Sequence, residues 1–318
     1  MYRHPLESKL SVGGGLESIP CNLCGATDTE LLHPATISEE ANPPQEWFRC
    51  TSSAYGKHPP IVKCRRCGLV YTNPRLEERE ILHEYEHVID KAYLQEREGR
   101  ILTFRRNLEP LLRLVPPRGR PRLLDIGCHI GVFLEIAQEQ GWEAWGVEPS
   151  TWAADQARAQ GLRVTTGTLR EARFPDQFFD VITMWDVIEH LANPLASLQE
   201  AYRVLAPGGV ICIHTINIES PFARLMGHRW PWLMEMHLYY FSPQTLAQML
   251  EKTGFQVIQM VTQGRYLRLG YLLSHLEPYA GVLAQSLGKL TRSLDLAHLP
   301  IPINLGDLFT TFARKVKP

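Results

Sequence analysis

The stretch RLLDIGCHIGVFLEIA, from Arg122 to Ala137, reads as an apolar strand, a glycine turn and an apolar helix. Open parallel sheets bind ligands where strands end in such turns, because glycine lets backbone and ligand approach closely. A dinucleotide site needs Gly-x-Gly-x-x-Gly at the helix N-terminus for the pyrophosphate. Here the spacing is Asp-x-Gly-x-x-x-Gly, with Asp125 at the strand end and Gly127 and Gly131 in the turn. A carboxylate there would repel a pyrophosphate and suits a ligand carrying an ammonium group. His129 stands where a third glycine is expected, and histidine is among the residues that tolerate left-handed turn conformations.

Downstream, short apolar strands alternate with amphipathic helices. The strands are RLLDIG, EAWGVEP, LRVTTGT, DVITMWD and GVICIHTI; GVFLEIAQEQG, STWAADQARAQG and PLASLQEAYRVLAPGG lie between them. This pattern predicts an α/β fold, a parallel sheet with helices on both faces. A helix capped by Ser242 and ending at Gly254 follows, then the strand QVIQMVT. Two more helical patterns, RYLRLGYLLSHL and YAGVLAQSLGKLTRSL, precede a last strand, DLFTTFARKV. Glu148 ends the second strand about twenty residues after the first glycine, where an acidic side chain accepts hydrogen bonds from ribose hydroxyls. The two carboxylates together specify a ligand with a ribose and a positive centre, which describes S-adenosylmethionine.

The 318-residue chain has room for one large core or one core plus a satellite domain. Its hydrophobic fraction of 44% and charged fraction of 21% are those of a soluble globular protein. A net charge of −1 gives no global reason to expect a nucleic-acid partner. No apolar run reaches the roughly 18 residues that span a bilayer, and the first twenty residues lack the apolar core of a secretory signal. Seven cysteines include two Cys-x-x-Cys pairs, which in a chain without an export signal point to metal and a reducing cytoplasm.

Those pairs, CNLCG and VKCRRCG, give Cys21, Cys24, Cys64 and Cys67. Four thiolates in two such turns match a closed tetrahedral structural Zn²⁺ site. The gap between the pairs is long, so Cys50 or a nearby histidine is an alternative fourth ligand. The expected organisation is a flexible lead-in over 1–15, a zinc-binding module over 16–75, a helical linker over 76–117 and the α/β domain over 118–318. A helical insert occupies about 264–304. Cys128 and Cys212 read as packing residues.

The ordered motifs LLDIGCHIGVF, WGVEPS, FPDQFFDVITMWDVIEHLANP, LAPGG and HLYYFSPQTLAQMLEKTGF resemble those of class I S-adenosylmethionine-dependent methyltransferases. The resemblance implies a seven-stranded Rossmann-like sheet with helices on both faces. It implies a cofactor site at Asp125, Gly127, Cys128, His129, Gly131, Glu148, Pro149, Thr168, Leu169 and Trp185. The third strand departs from the family in lacking the acidic residue that often contacts the adenine. The N-terminal module resembles zinc-ribbon-like domains placed ahead of some bacterial sugar and small-molecule methyltransferases.

The fourth strand ends in WDVIEHLANP, which places Asp186, Glu189 and His190 at the catalytic edge. His190 suits a general base for a substrate hydroxyl. Asp-x-x-Glu-His also resembles the Glu-x-x-Glu-His metal motif of ubiquinone-type O-methyltransferases, which would make the three residues ligands of Mg²⁺; anchoring of a loop is the third reading. His237, Tyr239 and Tyr240 are substrate-side candidates, and His214 reads as a satisfied strand histidine.

These readings favour O-methylation of a small-molecule acceptor, a sugar, an isoprenoid-type compound or another natural product. An RNA methyltransferase that grips its substrate through the zinc module is the alternative, supported by Arg100, Arg105, Arg106, Arg113, Arg118, Arg120 and Arg122. That run is more often a solvated face. A non-catalytic zinc-ribbon scaffold is the other alternative. The insert reads as a lid, a dimer interface or a peripheral membrane contact, and the oligomeric state is not legible.

Overall fold

The computed structural model describes residues 16–37, 44–115 and 119–316, apart from the side chains of 277–279. The lead-in of residues 1–15 and Arg118 of the basic run lie outside the described residues. Seven strands form the main sheet: β1 (Arg122–Ile126), β2 (Glu143–Glu148), β3 (Arg163–Thr166), β4 (Phe179–Trp185), β5 (Leu205–Ile216), β6 (Phe255–Thr262) and β7 (Leu308–Lys315). Their order is β6-β7-β5-β4-β1-β2-β3. The chain runs outward from β1 through β2 to β3, then returns to the other side of β1 for β4. The reversal leaves a crevice between the carboxyl ends of β1 and β4.

The strands are apolar on both faces because both are covered. On one face Leu124, Ile182 and Ile211 pack with Leu198 and Leu246 of the helices Pro194–Val204 and Pro243–Lys252. On the other, Leu123, Val181 and Cys212 pack with the helices Val132–Glu139, Thr151–Ala159 and Arg97–Leu114. Each fully buried Leu or Ile contributes roughly 1.5–3 kcal/mol. Ser242 caps its helix as expected, accepting from the Thr245 N–H within a capping box.

The five strands β1 to β5 are parallel, as their alternation with helices predicts, and β7 runs antiparallel to both β5 and β6. Two expectations need correction. RYLR is no helix turn: Arg265–Arg268 pairs antiparallel with Pro300–Ile303, and the helix begins at Leu269. That helix runs to Ser293 and breaks at Gly281 (φ 44°, ψ −118°), near the start of the second helical pattern. Nor is 76–117 merely a linker. Phe104, Leu108 and Leu111 recur at four- and three-residue steps, and that stripe is buried against the sheet's own helical cover.

The N-terminal strands Thr29–His33, Ile61–Cys64 and Val70–Thr72 form an antiparallel sheet completed by Tyr239–Tyr240 from the α/β domain. Cys21, Cys64, Leu69 and Tyr71 belong to the same buried cluster as Leu198 and Leu246. Module and domain therefore share one core.

Candidate functional site

The turn after β1 keeps its shape with His129 in it. The Gly127 N–H donates to the Val147 carbonyl at 2.8 Å. His129 adopts φ 48°, and its N–H donates to Glu148 Oε2 at 2.9 Å. The Ser150 N–H occupies Oε1 at 2.9 Å. Glu148 thus clamps the turn to the start of the next helix. Glycine is required on either side of His129: a Cβ on Gly127 would lie 2.6 Å from Val187 Cγ2, and one on Gly131 (φ 84°) would lie 2.2 Å from Leu162 Cδ1.

A cavity of about 1140 Å³ opens at this sheet edge, at or above the upper end of ordinary small-molecule pockets. Asp125, Gly127, Cys128, His129, Glu148, Pro149, Thr168, Leu169 and Trp185 all line it, as do Asp186, Glu189, His190 and His237. Gly131 supports the turn from behind. The Sγ of Cys128 packs against Gly146. Thr168 spends both N–H and hydroxyl on Glu171, at 2.8 Å each.

Burial pushes Asp125 up to about 8 although Thr183 Oγ1 donates to it at 2.6 Å. Burial likewise raises Glu148 to about 7. A raised folded value means that the ligand-free native state holds the Asp125 proton where the unfolded chain has lost it. Its destabilising effect is absent below about pH 4 and grows as pH rises toward 8. Asp125→Asn is expected to flatten the fall in Tm of the ligand-free protein between about pH 5 and pH 8. Melts with an unchanged slope would show that Asp125 does not carry this effect.

Sequence reasoning missed Arg100, placing it on a solvated basic face. It lines the cavity instead, with its guanidinium 4.8 Å from the Tyr93 ring centroid. Elsewhere in that run Arg105 pairs with Glu139 at 2.9 Å, and Arg122 lies 4.4 Å from the Phe178 ring centroid.

At the end of β4, Asp186 adopts φ 55°. Burial opposes its ionisation, but Arg265 and then His214, each 3.6 Å away, hold its carboxyl below the usual range. His214 is satisfied by Thr310 Oγ1 at 2.8 Å, as expected of a strand histidine. Glu189 is buried, accepts from Thr215 Oγ1 at 2.8 Å, and is raised to about 8 by burial and then by Asp186.

His190 Nδ1 lies 2.8 Å from the Met236 carbonyl, and His237 Nδ1 lies 2.7 Å from that of Trp232. A carbonyl only accepts, so each ring carries its proton on Nδ1 and its lone pair on Nε2. Burial lowers both imidazoles, His237 well below the ordinary 6.5. The two rings lie 4.8 Å apart between centroids, their planes inclined at 57°.

This geometry corrects the reading of Asp186, Glu189 and His190 as one Mg²⁺ site. Glu189 and His190 have ligating atoms grouped within 4.8 Å with His237, while Asp186 is held by Arg265 and His214. Two imidazoles and one carboxylate also suit Mg²⁺ poorly. Tyr239 and Tyr240 are corrected too. Both are fully buried strand residues, their hydroxyls on the carbonyls of Ala192 and Met234, and neither reaches the cavity.

Cys21 Sγ lies 3.4 Å from Cys67 Sγ, and Cys24 Sγ lies 3.5 Å from Cys64 Sγ. Zn–S bonds of about 2.3 Å place tetrahedral sulfurs about 3.8 Å apart, so this cluster fits the metal. Cys50 is not part of it: it lies at the cavity wall. The first knuckle also touches the chain just after His190. Asn22 Oδ1 accepts from the Leu195 N–H and its Nδ2 donates to Asn193, both at 2.9 Å.

Among the described residues no helix is long and apolar enough to cross a membrane. A sequence model described as a methyltransferase domain matches residues 96–260. The chain is 30% identical over 154 residues to a protein of Aeromonas salmonicida named ubiquinone biosynthesis O-methyltransferase, covering 44% of this chain and 64% of the relative. A protein of the same name from Aliivibrio fischeri is 27% identical over 149 residues, covering 42% and 64%. This chain thus spans less than two-thirds of the length of these relatives. One chain of a solved complex containing the Haloferax volcanii Trm112 methyltransferase activator superposes with a TM-score of 0.50 at 16% identity. The match covers 71% of this chain and 96% of that one, a likeness of fold alone.

Proposed function

This chain belongs to the methyltransferase-domain family, and from that membership we propose that it transfers a methyl group from S-adenosylmethionine to a hydroxyl oxygen of a small-molecule acceptor, of sugar, isoprenoid or other natural-product type. The observation that carries this reading is one cavity with two differently equipped ends. Carboxylates, a glycine turn and Arg100 lie at the carboxyl ends of β1 and β2, and two neutral imidazoles stand beyond β4.

When bound, S-adenosylmethionine supplies an electrophilic methyl group on a sulfonium. Asp125 and Glu148 suit its ammonium and ribose, and Arg100 suits its carboxylate. Positioning supplies much of the rate of such an in-line displacement. At the other end the Nε2 of His190 or His237 accepts the hydroxyl proton as the acceptor's oxygen–carbon bond forms. The ubiquinone O-methyltransferases among the relatives support an oxygen acceptor. The four cysteines hold Zn²⁺ as a closed structural site. The exposed stripe Leu283, Leu287, Leu290 and Leu294 on the insert is the face that would meet a membrane carrying a lipid-linked acceptor. RNA is disfavoured, because Arg100 turns into the cavity and Arg105 is paired with Glu139.

The test is transfer of labelled methyl to a panel of sugar, phenolic and polyprenyl acceptors, with wild type beside His190→Ala. The expected result is an O-methylated product formed about a hundredfold more slowly by the variant. That lies at the low end of general-base effects, because His237 stands beside the lost group. Label entering RNA alone, or equal rates for both proteins, would contradict the assignment.

A further inference from the structure

The turn that accommodates His129 leaves its ring unsatisfied. The residue is 8% exposed, and among the described residues neither its buried Nδ1 nor its buried Nε2 has a hydrogen-bond partner. Leaving a buried polar group unpaired costs about 1–3 kcal/mol. The ring stands 3.9 Å from the Tyr93 centroid and 6.1 Å from that of Trp152, neighbours that present faces and edges rather than an acceptor.

Two other side chains converge on the same point. A ring nitrogen of His129, the Sγ of Cys50 and a carboxylate oxygen of Asp90 all lie within 4.8 Å of one another. They come from three separated segments: the turn after β1, the chain following the short turn Gln45–Phe48, and the cap of the helix Lys91–Gln95. Asp90 is fully buried and firmly oriented. Its Oδ1 accepts from Thr51 Oγ1 at 2.6 Å and from the Tyr93 N–H at 3.2 Å, and its Oδ2 accepts from the Thr51 N–H at 3.0 Å. Oδ2 therefore keeps a lone pair, and the bonds to Thr51 hold the residue next to Cys50. Cys50 is exposed where it lines the large cavity.

We propose that Cys50, Asp90 and His129 form a second metal site, binding a borderline-soft divalent cation of the Zn²⁺ type with one coordination position turned to the cavity. Thiolate, imidazole and carboxylate are each zinc donors, and three protein ligands are the number found where a fourth position takes water or a ligand. The bonds that fix Asp90 are the outer-shell support that metal-binding carboxylates require. His129 binds through the lone pair of its neutral ring, and the Cys50 thiol gives its proton to solvent as the metal–sulfur bond forms. Thiolate and carboxylate together balance the cation's charge, so the neighbouring Arg100 is not left facing an uncompensated ion. A carboxylate or hydroxyl of a molecule in the cavity is the class of group that would take the open position. The site is independent of the four-cysteine cluster and of whether methyl transfer occurs.

The test counts metal and watches the thiol. Protein equilibrated with a slight excess of Zn²⁺ and gel-filtered is expected to retain about one zinc per chain more in wild type than in Cys50→Ser. Zn²⁺ is also expected to slow alkylation of Cys50 by iodoacetamide about tenfold or more, read by peptide mass spectrometry. The alkylation comparison needs only wild type, and His129→Gly, which restores a glycine to the turn, serves should Cys50→Ser not fold. Equal zinc content in wild type and variant, or Cys50 alkylated equally fast with and without Zn²⁺, overturns the proposal.

Discussion

Cys64→Ser is expected to lower Tm by about 5–10 °C and to release the zinc of the N-terminal module, since a structural zinc contributes directly to folding. The four sulfurs already sit at near-tetrahedral spacing, and serine offers a poor ligand in place of a thiolate. The effect will not stay local. Cys64 and Cys21 share a buried cluster with Leu198 and Leu246 of the α/β domain. Asn22, between the first pair of cysteines, bonds to Asn193 and Leu195 at the start of the helix that follows His190, and Lys252 Nζ donates to the Leu23 carbonyl at 2.5 Å. A chelator should therefore reproduce most of the Tm loss in wild type and add little in Cys64→Ser. A wild-type Tm unmoved by chelator, with no zinc in the protein, would remove the structural-metal assignment.

Glu148→Ala is expected to weaken S-adenosylmethionine binding by about a thousandfold or more, which is about 4 kcal/mol. Two contributions add. The carboxylate contacts proposed for the ribose disappear, and hydrogen bonds to a charged group contribute about 1.5–3 kcal/mol each. The buried N–H groups of His129 and Ser150 also lose the Glu148 acceptor, so the turn that must approach the ligand is released. Glu148→Gln keeps the shape and one acceptor oxygen, and should fall between the two. Circular dichroism must show Glu148→Ala folded. Folded protein with undiminished affinity would mean that the ligand does not sit at the end of β2.

How much of this was legible in the sequence follows from the range of the interactions involved. The main strands and the Asp125–Gly127–Gly131 turn are local patterns with strong periods, and Glu148 follows at a fixed distance, so both were readable. The two Cys-x-x-Cys pairs were readable because each knuckle is a self-contained turn. Tyr239 and Tyr240 misled because their environment is a strand pairing with Tyr71 and Val70, far away in the chain. RYLRLGYLL carries helical spacing, and only the pairing with Pro300–Ile303 makes its first four residues a strand. The orientation of Arg100 into the cavity and the approach of Cys50 and Asp90 to His129 are likewise tertiary, with no local signal in a basic run or a loop. The His190–His237 pair stood half-legible: each was singled out, but their close tilted placement depends on the carbonyls of Met236 and Trp232.

The most direct measurement is a calorimetric titration of the purified protein with S-adenosylmethionine, with NAD as the control. Saturable binding of S-adenosylmethionine and no heat from NAD is the predicted result, because Asp125 at the turn favours a cationic ligand and opposes a pyrophosphate, while Glu148 serves the ribose. Binding of NAD, or no binding of S-adenosylmethionine to folded, zinc-loaded protein, would contradict the account.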